Sequence, residues 1–131
     1  MPLIGGGHTR LQPVFVEDVA EAIAAMLTDP GTVGQSYELA GPKVYTLREL
    51  TNMVLRLSGK RRVLLPIPFA LAEIQARAFE FLPNPPLTIS QVDLLKEDNV
   101  ANGNLPGFHE LDIRPASVEE VVPTYLCRHF N

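Results

Sequence analysis

Twelve prolines punctuate a chain of 131 residues, nearly twice ordinary usage. Proline locks φ and lacks the N–H that a helix interior or an inner strand needs, so it ends elements and stiffens the links between them. The chain is therefore expected to fold as short elements with rigid connections. It is still globular in composition: 46% of residues are apolar and 20% are charged, and this length suits one domain with a real core. With 11 Lys+Arg against 15 Asp+Glu the net charge is −4. That balance argues against a nucleic-acid partner, which requires clustered basic residues. The single cysteine, Cys127, excludes an internal disulfide and a thiolate zinc site of the usual four-ligand kind. It also suits a reducing compartment. The longest uncharged stretch, Phe81 to Val92, contains three prolines and falls far short of the roughly 20 apolar residues of a membrane span. Met1–Thr9 lacks the basic start and apolar core of a signal peptide. The expected location is cytoplasmic, with no membrane span.

Along the chain, Met1–Arg10 reads as a flexible, glycine-rich lead-in without a strand. Leu11–Val16 reads as a first short strand. A helix opened by Asp18 follows, with Val16, Val19, Ala20, Ile23 and Leu27 on its apolar face and Glu17, Asp18 and Glu21 near its positive end. Asp29-Pro30-Gly31 ends it. Ser36–Ala40 reads as a second strand. Thr46 and Glu49 form a capping box before a helix with Leu47, Leu50, Val54 and Leu57, stopped by Gly59. Arg62–Pro66 reads as a third strand. The next helix carries Leu71, Ile74, Ala78, Phe81 and Leu82 as its core stripe, and Pro83, Pro85 and Pro86 break it. Thr88 caps a short helix with Ile89, Val92 and Leu95. Ser117 and Glu120 form a second capping box before the last helix, which Pro123 is expected to kink or shorten. The fold class is α+β, an α/β fragment of four to five helices and about three short strands. Residues 1–10 form the lead-in and 11–131 a single lobe.

Catalytic patterns are missing. Gly5-Gly6-Gly7 leads to His8-Thr9-Arg10 and not to the helix of a G-x-G-x-x-G or P-loop motif. No G-x-S-x-G or H-E-x-x-H occurs. Four residues beyond Tyr37, Tyr45 and Tyr125 stand Gly41, Glu49 and His129, so no Tyr-x-x-x-Lys pair exists. His8, His109 and His129 lack metal-ligand spacing. No catalytic residue and no metal site is assigned.

The run Gly5 to Ala22, a glycine-rich turn, an apolar segment and Val16-Glu17-Asp18-Val19-Ala20, resembles the extended and atypical short-chain dehydrogenases, the NAD-dependent epimerase and dehydratase group. Tyr37–Pro42 followed by Thr46-Leu47-Arg48-Glu49-Leu50 continues the pattern. Pro2–Gly7, Gln12-Pro13-Val14, Leu65–Ala70, Pro86-Leu87-Thr88 and Gln91-Val92 resemble one branch of it. That branch is the NAD(P)-binding accessory subunits of respiratory complex I (NADH-ubiquinone oxidoreductase) and their bacterial relatives. The resemblance implies a C-terminal lobe of a Rossmann-type protein, with NAD(P) bound in a preceding half and no cofactor in this fragment. It also implies a structural or assembly role, respiratory-complex partners and a peripheral position on the inner membrane. Two alternatives stay open. One is the substrate-binding lobe of an active sugar-nucleotide epimerase or reductase. The other is a stand-alone interaction module. Epimerases place an Arg seven residues before the Asp of their Val-x-Asp pattern; here that position is Leu11, with Arg10 one residue off and on the opposite face of a strand.

His8, Arg10 and Gln12 are the candidates for a substrate or cofactor edge. The plainer readings are an exposed loop pair for His8 and Arg10 and a strand-edge residue for Gln12. Asp18 reads as a cap or first-turn anion, and Arg61-Arg62 as a solvated pair. Losing the Rossmann half is expected to expose Leu11–Val16 or the Phe69–Leu82 helix and to make the fragment a homodimer.

Overall fold

The computed structural model of the chain describes residues 1–79 and 88–129. In order it contains β1 (Pro2–Ile4), β2 (Arg10–Leu11), α1 (Val16–Thr28), β3 (Tyr45–Thr46), α2 (Leu47–Leu57), β4 (Leu65–Ile67), α3 (Phe69–Phe79), α4 (Ile89–Leu94) and α5 (Val118–His129). The class is α+β, as the residue pattern implies. Its elements are grouped in two units, Met1–Leu11 with Tyr45–Asn99 and Gln12–Val44 with Val100–Asn131.

Capping chemistry starts three of the helices. The Thr46 hydroxyl accepts the Glu49 N–H at 3.2 Å, and the Glu49 carboxylate accepts the Thr46 N–H at 2.7 Å. Thr88 and Gln91 repeat the exchange ahead of α4, at 3.2 and 3.1 Å. Ser117 and Glu120 repeat it ahead of α5, at 3.3 and 2.7 Å. Each box satisfies donors that a helix start leaves open. α1 is different. Phe15 precedes it without a side-chain cap, and the helix begins at Val16, two residues before Asp18. At its far end the Asp29 carboxylate accepts the Gly31 N–H at 2.8 Å and turns the chain at Pro30.

In the first unit β1 runs parallel to β4, with Leu3 opposite Pro66 and Ile4 opposite Ile67. Proline is tolerated there because an edge strand has one side free of ladder bonds. β2 and β3 are antiparallel, with Arg10 opposite Thr46 and Leu11 opposite Tyr45. The core is Ala72 and Ala76 of α3 against Val92 of α4, flanked by Ile4, Ile67, Phe69 and Ile89. Lys96 fastens the pair, with Nζ 2.7 Å from both Glu73 and Asp93. In the second unit Ala22 of α1 and Phe108 are buried, and Phe15 meets Tyr125 edge-to-face at 6.5 Å.

The strands differ from the expected ones for physical reasons. The lead-in contains β1, because burying Leu3 fixes it against β4. The expected strand 11–16 stops at Leu11, since Pro13 has no ladder donor. The expected strand 36–40 does not form. The Glu38 N–H donates to the Pro106 carbonyl at 2.9 Å, but Pro106 has no N–H to return, so a ladder cannot propagate. The third lies at Leu65–Ile67, displaced toward its partner β1. α5 continues through Pro123 to His129 and is not shortened by it.

The helix faces differ too. α3 buries Ala72 and Ala76, while Leu71 and Ile74 of the expected core stripe are exposed. Phe81, Leu82, Pro83, Pro85 and Pro86 lie outside the described residues. α1 buries Ala22 and leaves Val16, Ile23 and Leu27 exposed. Alanine wins these positions because its short side chain lets neighbouring backbones approach closely. Thr46→Ala should cost about 1 kcal/mol, read as a lower urea midpoint at unchanged slope.

Candidate functional site

Gly5, Gly6 and Gly7 have φ of +58°, +68° and +71°, a left-handed run that L side chains avoid. A Cβ on Gly5 would stand 2.2 Å from the Phe69 ring, and one on Gly7 2.6 Å from Leu3. The turn aims the Gly6 carbonyl at Arg48, whose Nε and Nη2 donate to it at 3.1 and 2.9 Å. His8 leaves the turn exposed, its ring folded close to Gly6. Thr9 is buried and its hydroxyl donates to the Leu95 carbonyl. Asp98 takes the Arg10 N–H at 2.7 Å and its Nε at 2.8 Å. Asp98 thus engages both the backbone and the Nε of Arg10. The turn delivers the chain into β2, not into a helix whose N–H groups could meet a phosphate. These residues do not fit the pyrophosphate of a dinucleotide.

Gln12 belongs to the second unit and has a different task. Its Nε2 donates to the Gly41 carbonyl at 2.8 Å, and its Oε1 accepts the Ala101 N–H at 2.9 Å. Both ends of the amide are thus used by backbone, in place of a sheet ladder. Gly41 approaches so closely that a Cβ would lie 1.8 Å from the Pro13 carbonyl oxygen. Glu38 gathers the following loop, accepting the Asn102 and Gly103 N–H groups at 3.0–3.1 Å. Gln12, Glu38, Gly41, Gly107, Phe108 and Glu110 line one open cleft of about 620 Å³. The Glu110 carboxylate accepts the Gly107 N–H at 2.7 Å. Asp18 accepts the Ala116 N–H at 2.7 Å, tying α1 to the approach of α5. That is a structural role, as its place in the first turn suggested. Among the described residues no group of three His, Cys, Asp or Glu is placed to hold a metal. The side chains of Cys127 and His129 lie outside the described residues.

No protein-family model matches the chain. Over 139 residues it is 37% identical to NADH dehydrogenase (ubiquinone) 1 alpha subcomplex subunit 9, mitochondrial, of Arabidopsis thaliana, covering 98% of this chain and 35% of the relative. It is 28% identical over 131 residues to the Mus musculus protein of the same name, with the same coverage. It is 31% identical over 122 residues to the mitochondrial 40 kDa subunit of NADH-ubiquinone oxidoreductase of Neurospora crassa, covering 92% of this chain and 32% of the relative. The chain is thus similar to subunits of NADH dehydrogenase (ubiquinone) and NADH-ubiquinone oxidoreductase. It spans about a third of the length of these relatives.

The three sequence candidates carry no shared chemistry: Arg10 is paired with Asp98, Gln12 holds two backbone groups, and His8 is exposed. Sequence reasoning missed Arg48, Glu38 and Asp98. Arg48 had a signal in the Thr-Leu-Arg-Glu-Leu run but no visible partner. Asp98 and Glu38 had none, since their partners are 88 and 64 residues away.

Gln12→Ala leaves two part-buried backbone groups without partners and should cost about 2–3 kcal/mol, measured by urea denaturation. Acid should weaken the fold in a defined window. The Arg10 N–H, then its side chain, hold Asp98 below its ordinary 3.8. The Gly107 N–H holds Glu110 below 4.5, and the Ser117 N–H and hydroxyl do the same for Glu120. Folding thus favours the ionised forms. The stability they contribute is complete above pH 4.5 and is lost as pH falls through 3.8 and then through the depressed values. Asp98→Asn should flatten the lower part of a melting-temperature profile over that range.

Proposed function

We propose that this chain is the C-terminal, partner-side lobe of an NAD(P)-binding, dehydrogenase-like accessory subunit of NADH-ubiquinone oxidoreductase, with a structural part in the complex and no catalysis of its own. In the intact subunit the preceding Rossmann domain holds NAD(P), residues 11–131 form one lobe beside it, and the assembly sits peripherally on the inner membrane with respiratory-complex subunits as partners. His8 and Arg10 are then residues at the edge of that neighbouring domain.

The observation that carries this reading is the outer face of α1. Val16, Ala20, Ile23 and Leu27 follow helical spacing, and Val16, Ile23 and Leu27 are 67%, 49% and 82% exposed. A row of aliphatic side chains in water is an unsatisfied surface, and a helix of this kind normally lays that stripe on another element. The relatives extend well beyond the region matched here, which leaves ample chain to cover it. α1 also belongs to the stretch that marks passage out of the Rossmann domain in the proteins it resembles.

Two measurements test the reading. Light scattering should find the chain alone as a homodimer or larger at micromolar concentration, and Ile23→Glu with Leu27→Glu should return it to a monomer of unchanged circular dichroism. Titration with NADH or NADPH should give no fluorescence change in the micromolar range. Micromolar nucleotide affinity, or a clean monomer before substitution, contradicts the assignment.

A further inference from the structure

The charge of this acidic chain is unevenly divided. The first unit has eight Lys and Arg against six Asp and Glu, whereas the second has three against nine. Half of the first unit's cations fall in seven residues: Arg56, Lys60, Arg61 and Arg62. The end of α2 brings them together. Gly59, at φ +66°, donates its N–H to the Arg56 carbonyl at 3.2 Å, and the Lys60 N–H donates to the Leu55 carbonyl at 3.0 Å. The chain thereby doubles back along the last turn of the helix. All four cationic residues line one open groove of about 650 Å³ with Asn52, Leu55, Gly59 and Val63. No carboxylate is among these lining residues.

Cations at a helix C-terminus complement its dipole, which explains Arg56 and leaves the Arg61-Arg62 pair without a reason. The surroundings supply one. Leu57, Val63 and Leu65 are 42%, 76% and 59% exposed beside the same cations in sequence. Basic heads interleaved with exposed aliphatics suit a surface that is anionic outside and apolar just beneath. A discrete phosphate pocket would need buried donors, and these four residues are exposed.

We propose that this groove and its aliphatic rim dock on the anionic headgroup surface of a phospholipid bilayer. The attraction is a summed field, with each cation raising the partition coefficient by about fivefold. Val63 and Leu65 then lie at headgroup depth. No helix among the described residues is long and apolar enough to cross a membrane, so the contact is peripheral. The proposal rests on the peripheral membrane position in the proposed function and names the surface that makes the contact; its vesicle test is separate from the light-scattering and nucleotide tests of that reading.

Cosedimentation of the full chain with vesicles tests it. Binding should be strong on equal parts phosphatidylcholine and phosphatidylglycerol, weak on phosphatidylcholine alone, and should decline as salt shortens the screening length. Arg61→Ala with Arg62→Ala, both exposed, should lower the partition by about 25-fold, while Val63→Ser lowers it less and leaves the salt dependence intact. Circular dichroism confirms that each variant is folded. Equal binding to both vesicle types, or binding unchanged in the double variant, overturns the proposal. So does displacement by millimolar inorganic phosphate, which marks a discrete anion site. Capture by polyglutamate without vesicle binding overturns it as well and identifies an acidic polypeptide as the occupant.

Discussion

A run of three left-handed residues is the constraint on which the first unit depends. For any residue but glycine, each such position costs roughly 1–2 kcal/mol, and at Gly5 and Gly7 a side chain would also strike Phe69 and Leu3. Only glycine permits the reversal that carries β1 back toward β2. Several contacts follow from it. Leu3 folds under Gly7, Phe69 covers Gly5, and the Gly6 carbonyl meets Arg48 on α2. Without the reversal Arg10 would not fall opposite Thr46.

The second unit reaches order by another route. Its described residues include no named strand, and side chains take over what a ladder normally does. Gln12 bridges two backbone segments, Glu38 collects consecutive N–H groups of a loop, and Asp18 holds the residue before the α5 cap. Such bonds are directional and cannot slide by a residue, so they fix register where no sheet exists to do so. Prolines at 13, 42, 106 and 115 explain the need, since each deletes a donor from the segments involved.

What could be read from the residues follows the range of the interactions. The capping boxes at Thr46 and Ser117 span three residues and were legible, as were the Thr88 cap, though not its Gln91 partner, and the turn at Asp29-Pro30. Helix faces were less so, because periodicity marks the large aliphatics as core and the structure buries Ala22, Ala72 and Ala76 in their place. The strands were largely missed: each has two or three residues, too few for alternation to register, and each exists only through a partner far along the chain. The family resemblance was carried by ordered glycine, proline and Val-x-Asp positions, which are local and survive divergence. The Arg10–Asp98 pair could not be seen, since nothing near either residue announces the other.

The two units are interleaved along the chain: 1–11 and 45–99 build one, 12–44 and 100–131 the other. Neither is complete as a contiguous stretch of translation. Asp18 waits for Ala116, 98 residues later, and Arg10 waits for Asp98. At about 5–20 residues per second on the ribosome, that is a delay of several seconds with the amino-terminal segments unpaired. Contacts so distant in sequence also make spontaneous folding slow. A nascent chain of this design therefore leaves β1 unpaired until β4 is made and the Asp18 carboxylate without Ala116 until almost the whole length has been translated.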